Sequence, residues 1–131
     1  MADYDVVALR EVENQSERFG FDPRDLQFRV ARDALGCENI GVSYLYLGPG
    51  FRIPFGHRHE RQEEVYVLLS GSVRMKIGDD LVELQPLTAV RVGPETMRAY
   101  EGGPEGGEIV VIGVPKTTPN DAETHNGWWS D

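Results

Sequence analysis

The residues with the clearest chemistry lie in the polar run HRHERQEE at positions 57–64. Residues two apart on a β-strand share a face, so His57 and His59 can direct their imidazoles to one point. Glu64 follows the stretch ERQE, which we interpret as a tight connection that resets the alternation of faces. Two histidines and one carboxylate form a three-ligand set with open positions, which suits Fe, Mn, Ni or Zn. On spacing alone, the alternative to a metal site is that both histidines lie at the surface of a charged loop.

The elements that must position these residues are predicted to be β-strands. Glycines and prolines punctuate short apolar segments, which is typical of an all-β domain. Seven segments rich in β-branched or aromatic residues are predicted strands, at 40–47, 64–69, 73–77, 81–84, 89–92, 97–100 and 108–114. Ser70-Gly71, Gly78-Asp79-Asp80 and the glycine-rich stretch 102–107 are predicted hairpin connections. Seven strands predict a sandwich or a barrel.

Both ends of the chain carry weaker signals. Apolar residues alternate over 26–30, and Gly36 resembles the glycine that ends a helix, so we predict a short strand and then a single helical turn ending at Leu35. The tail is polar and turn-rich until Trp128 and Trp129. Two exposed tryptophans would form an aggregation-prone patch, so we expect them to attach the tail to the barrel.

The run around His57 resembles the first motif of the cupin superfamily, G-x5-H-x-H-x3/4-E-x6-G. His57, His59, Glu64 and Gly71 match its second part, whereas Gly50 stands one residue too far upstream. The resemblance implies an all-β fold, a cupin double-stranded β-helix or jelly-roll barrel with a short N-terminal extension. In such a barrel, the two histidines and the glutamate bind a divalent metal inside the mouth. We expect one domain over 1–131, with its barrel core at about 40–114, an N-terminal extension at 1–39 and a tail at 115–131.

The second cupin motif, G-x5-P-x-G-x2-H-x3-N, is absent as such. Aligned by strand order, Leu87 stands for its first glycine, Gly93 for the proline, Glu95 for the second glycine, Arg98 for the histidine and Gly102 for the asparagine. A guanidinium stays protonated at any physiological pH and cannot ligate a divalent cation. A four-ligand cupin site therefore requires a substitute for Arg98.

Arg98 leaves three interpretations open. With a metal on His57, His59 and Glu64, Arg98 would bind a substrate carboxylate in bidentate fashion, with Tyr66 and Tyr100 as further candidate substrate-binding residues. Without a metal, Arg98 would pair with Glu64, and the chain would be a small-molecule-binding or structural cupin with no catalytic activity. In the third interpretation, Arg98 points to the surface, and ordinary core packing is the alternative for both tyrosines. No catalytic residue is assigned, because the cupin fold serves many reactions.

Composition limits the partners. The 131 residues carry 13 Lys and Arg against 22 Asp and Glu, a formal charge of −9 that argues against a nucleic-acid partner. Cys37 is the only cysteine, and no apolar run approaches the roughly 20 residues of a membrane span. The start of the chain has no export signal, so we expect a cytoplasmic protein. A small-molecule ligand and a homodimer formed through the N-terminal strands are what the cupin resemblance implies.

Overall fold

The computed structural model describes residues 1–129, so the last two residues of the predicted tail lie outside it. Pro119 is described by its backbone alone. Its strands are β1 (Leu26–Val30), β2 (Gly41–Leu47), β3 (Phe55–His59), β4 (Glu63–Ile77), β5 (Asp80–Leu84), β6 (Ala89–Val92), β7 (Arg98–Val114) and β8 (Ala122–Asn126). Short 3₁₀ helices span Leu9–Glu11, Ser16–Phe19 and Pro119–Asp121. The all-β prediction is confirmed. Within residues 1–129, no helix has the length and apolar character needed to cross a membrane.

Two long antiparallel strands, β4 and β7, organise the sheet. The second half of β7 pairs with β2, which pairs with β1, while the first half of β4 pairs with β6. At the other end, the first half of β7 pairs with β3 and β3 with β8, while the second half of β4 pairs with β5. Each half of the long pair thus carries its own set of flanking strands, which is the two-sheet arrangement of the predicted jelly roll.

The predicted hairpins at 70–71 and 102–107 are wrong, because β4 and β7 continue through both stretches. The pairing shifts register between Leu68 and Ser70 and again between Gly71 and Val73. Gly71 has a φ of +74°, and a Cβ added there would lie only 2.0 Å from the carbonyl oxygen of Gly106. These glycines therefore permit a bulged bend and a close approach of two backbones, not a chain reversal.

Other local predictions are confirmed. Ile77 pairs with Asp80, so Gly78 and Asp79 form the tight turn between β4 and β5, and Gly78 has a φ of +57°. The strand predicted at 26–30 is β1. After it, the amide of Leu35 donates to the carbonyl of Ala31 at 2.9 Å, which closes the predicted helical turn.

The two tryptophans pack against the core, as predicted. The indole Nε1–H of Trp129 donates to the carbonyl of Ile53 at 2.9 Å, and the guanidinium of Arg52 lies 4.3 Å from its ring centre. The ammonium of Lys76 lies 4.2 Å from the ring centre of Trp128. Cation–π contacts of this kind attach the end of the described chain to the barrel.

Alternate side chains of β4 point into the core of the protein. Glu64, Tyr66 and Leu68 are buried, whereas Val65 and Val67 are only partly buried, as strand alternation predicts. The core around this line of residues contains further apolar side chains with no exposed surface: Leu47, Val73, Met75, Leu84 and Ile109. A carboxylate at position 64 therefore lies at the edge of an apolar interior, where it needs polar or charged partners.

Candidate metal centre

The structure brings the predicted metal ligands together. His57 and His59 lie on β3, and Glu64 lies near the start of β4, so the short connection at 60–62 joins them. The Nε2 atom of His57 is 3.4 Å from Oε1 of Glu64, and that of His59 is 3.2 Å from the same oxygen. One potential ligand atom from each residue lies within 4.8 Å of the others. The cluster is therefore compact enough to hold a metal ion between its three members.

Two buried tyrosines, Tyr66 and Tyr100, lie beside the cluster. The hydroxyl of Tyr66 donates to Oε1 of Glu64 at 2.6 Å. The ring of Tyr100 lies 5.5 Å from that of Tyr66 and 6.0 Å from that of His57. Burial raises the pKa of both phenols, so both hydroxyls keep their protons at neutral pH. Tyr66 and Tyr100 thus offer hydroxyl groups beside the cluster.

Charges in the cluster are set by burial and by close contacts. Burial raises the pKa of Glu64, but its close contacts with His57, His59 and the hydroxyl of Tyr66 lower it more, so the pKa lies well below its usual range. Burial lowers the pKa of His57, and the positive charge of Arg98 lowers it further, against the opposing effect of Glu64. An ionised carboxylate and a neutral imidazole are the forms that bind metal ions.

Arg98 lies beside the cluster, and its side chain has no exposed surface. It pairs with His57 across β3 and β7, and its Nη2 atom is 4.0 Å from Oε1 of Glu64. The guanidinium donates to the carbonyls of Val92, Gly93 and Pro94 at 3.4, 3.1 and 3.4 Å. Its Nε has no hydrogen-bond partner among the described residues. The interpretation of a surface-directed Arg98 is therefore wrong.

Asp121 belongs to the site although the sequence analysis did not identify it. Its Oδ2 lies 3.0 Å from Nδ1 of His59 and accepts from the amide of Gln62, while its Oδ1 accepts from the amide of Arg61. Asp121 is 62 residues from His59, inside a polar segment whose composition indicates only turns. The third histidine, His125, is exposed on β8 and lies beside Glu123, outside the cluster.

The lowered pKa of His57 predicts how stability depends on pH. Below about pH 6.5 the unfolded chain protonates His57, whereas the folded protein resists protonation, so the unfolded state binds more protons. The free energy of unfolding should therefore fall as the pH decreases through this range. Thermal melting of chelator-treated protein between about pH 5.5 and 7.5 measures the slope. His57→Gln should flatten it and His125→Gln should not; equal slopes for wild type and His57→Gln would contradict the prediction.

Several solved structures resemble this one. A cupin protein from Bacteroides fragilis has a TM-score of 0.70 and 21% sequence identity, covering 92% of this chain and 95% of that one. A tyrosine-to-phenylalanine variant of Streptomyces Pac13, a nucleoside dehydratase, with uridine has a TM-score of 0.72 and 16% identity over 97% of this chain and 93% of its own. A variant of Bacillus subtilis oxalate decarboxylase has a TM-score of 0.74 and 16% identity, over 91% of this chain and 32% of its own. No family model matches the chain, and no curated protein matches it by sequence.

Together, the strand pairing and these likenesses show that the chain has the cupin fold, which confirms the resemblance found in the sequence. Within that fold it combines a His57, His59 and Glu64 cluster with a buried arginine at position 98. The fold alone does not select a reaction. The chemistry must come from the cluster and its neighbours.

Proposed function

We propose that the chain binds a divalent transition metal through Nε2 of His57, Nε2 of His59 and the carboxylate of Glu64. The observation that carries this proposal is the environment of His59. Its Nδ1 lies 3.0 Å from Oδ2 of Asp121 and its Nε2 lies 3.2 Å from Oε1 of Glu64, so each ring nitrogen faces a carboxylate oxygen that only accepts hydrogen bonds. A neutral ring has one proton, and with that proton on Nδ1 the Nε2 atom presents a lone pair to Glu64. A cation between these two acceptors turns a repulsive contact into coordination.

The donor set indicates the class of metal. Two imidazole nitrogens and one carboxylate oxygen suit Fe, Mn, Ni or Zn and leave coordination positions open. A metal bound there would act as a Lewis acid on a ligand that occupies an open position. The chain's own contribution is to hold the three ligands close together with little exposure to solvent and to keep His57 and Glu64 in their ligating protonation states.

A small carboxylate-bearing molecule is the ligand that we propose for the open positions. The positive charges of Arg98 and of the metal outweigh the two negative charges of Glu64 and Asp121. The buried Nε of Arg98, which has no partner among the described residues, is a further donor. Tyr66 and Tyr100 contribute protonated hydroxyls. One protein of similar fold, oxalate decarboxylase, is named for a small dicarboxylate, which agrees with this proposal.

A metal-free pocket is the second candidate. Tyr66 at 2.6 Å and Arg98 at 4.0 Å already partner the carboxylate of Glu64, and a doubly protonated His59 would link Glu64 to Asp121. The Pac13 structures with uridine include variants of one histidine and two tyrosines. In this chain, the ring of His57 lies 6.0 Å from that of Tyr100, and the hydroxyl of Tyr66 binds Glu64 beside His57. This candidate predicts a small polar ligand bound with no metal present, or a structural role alone.

Loss of either histidine is expected to abolish tight metal binding. His57→Ala and His59→Ala should each weaken the binding of Zn²⁺ or Mn²⁺ by at least about 100-fold, because two remaining ligands form a weak site. Untagged protein treated with chelator should be titrated calorimetrically, and its metal content measured by elemental analysis. His125→Ala, which removes an exposed histidine outside the cluster, is the matched control.

Stoichiometric metal in the double variant His57→Ala/His59→Ala would contradict the metal proposal. If wild-type protein binds no metal, titration with oxalate and uridine in the presence of chelator tests the metal-free candidate. Binding of either probe supports a metal-free pocket, and binding of neither leaves the structural role. The homodimer and the cytoplasmic location stay predictions.

A further inference from the structure

The C-terminal segment at 119–129, which we call the strap, runs back along the strand that carries both histidines. Its strand β8 pairs antiparallel with β3, with Thr124 opposite His57 and Ala122 opposite His59. All five residues of β8 are exposed. The strap is therefore held by its backbone pairing and by its two ends, since no side chain of β8 is buried in the core. Trp128 and Trp129 form one end.

The other end is Asp121, which binds the connection between β3 and β4. Its carboxylate accepts the amides of Arg61 and Gln62 at 2.9 and 3.2 Å, and its carbonyl accepts the amide of Glu60 at 2.9 Å. Its Oδ2 also lies 3.0 Å from Nδ1 of His59. The side chains of Asp121 and His59 are only 6% and 10% exposed, so water competes little for this contact.

We propose that Asp121 is a positioning residue of the metal centre: it keeps the proton of His59 on Nδ1, so that Nε2 presents its lone pair to the metal. The inference rests on the metal site proposed above. When Nε2 ligates a metal, a neutral His59 has its proton on Nδ1, and the carboxylate of Asp121, which cannot donate, accepts it. A hydrogen bond to the non-ligating nitrogen also fixes the ring orientation and raises the basicity of the ligating one. The strap thus completes the centre from a distant part of the sequence.

The test uses full-length variants at position 121. Asp121→Ala should weaken Zn²⁺ binding by roughly 10- to 100-fold, which is the usual effect of removing such a partner. Asp121→Asn keeps one neutral acceptor and should restore part of the affinity. Glu123→Gln is the matched control, because this carboxylate lies on the same strap but pairs with Arg58 at the surface. It should bind Zn²⁺ as wild type does.

A second measurement reports the position of the proton itself. Long-range ¹H–¹⁵N spectra of metal-free protein at about pH 8, where free histidine is neutral, distinguish the two tautomers. In metal-free protein Asp121 and Glu64 compete for this proton, so Asp121→Ala should show a clearly larger Nε2–H population of His59 than wild type does. A general loss of stability would not produce this change in a protein that still melts cooperatively.

Two results would overturn the proposal: the same tautomer populations of His59 in wild type and in Asp121→Ala, or Asp121→Ala binding Zn²⁺ as tightly as wild type. If Asp121→Ala does not fold, the His59 tautomers of wild type and of Asp121→Asn are compared instead. If wild type binds no Zn²⁺, the proposed metal site fails, and the tautomer alone then decides whether Asp121 positions His59. The two failures are thus distinguishable.

Discussion

Replacing Arg98 with methionine is expected to lower the free energy of unfolding by about 3 kcal/mol, in the range found when one member of a buried ion pair is removed. Methionine fills much of the volume but leaves the carboxylate of Glu64 without the cation 4.0 Å away. It also leaves the carbonyls of Val92, Gly93 and Pro94 without the donors that now reach them. Denaturant unfolding of the chelator-treated protein measures the loss.

Arg91→Met is the matched control. Arg91 pairs with Glu63 at 2.9 Å, but its side chain is 64% exposed, and exposed pairs contribute about 0 to 1 kcal/mol. Equal losses for Arg91→Met and Arg98→Met would show that burial gives Arg98 no special role.

Arg98→His distinguishes the metal-bound from the metal-free interpretation. It places at this position the histidine of the second cupin motif, and as a fourth ligand it should raise Zn²⁺ affinity at least about tenfold. In a metal-free protein, the metal content of Arg98→His would stay at background and only the melting temperature would fall. If neither quantity changes, Arg98 has no functional link to the cluster.

Gly71→Ala is expected to destabilise the protein by about 3 kcal/mol or more. A positive φ costs an L residue about 1 to 2 kcal/mol, and an inserted methyl that forces the backbone to move costs about 1 to 3 kcal/mol further. Both apply here, because the φ is +74° and the added Cβ would lie 2.0 Å from the carbonyl oxygen of Gly106. Denaturant unfolding provides the measurement.

Gly78→Ala separates the two contributions. Gly78 also has a positive φ, of +57°, but a Cβ added there meets nothing within 4 Å. It should cost only the conformational part, about 1 to 2 kcal/mol. Equal costs at positions 71 and 78 would mean that the close approach of β4 and β7 is not important for stability.

Local signals in the sequence were sufficient for much of the architecture. Strand alternation and a short polar connection, predicted at 60–63 and found at 60–62, predicted that His57, His59 and Glu64 converge, because neighbouring strands bring sequence neighbours together. The turn at Gly78 was also predicted correctly, because glycine readily adopts the positive φ of a tight turn. The glycines of β4 and β7 were misinterpreted as turns, since a positive φ serves a bulge and a hairpin equally and only the partner strand distinguishes them.

What the sequence by itself determined is the cluster of His57, His59 and Glu64, which depends on contacts between adjacent strands, and the barrel fold, which the motif resemblance implied. The tertiary structure decided the environment of that set. Pairing between β3 and β7 buries Arg98 beside His57, and the return of β8 along β3 brings Asp121 to His59 across 62 residues. No local pattern encodes either contact, since each depends on how strands distant in sequence close the barrel.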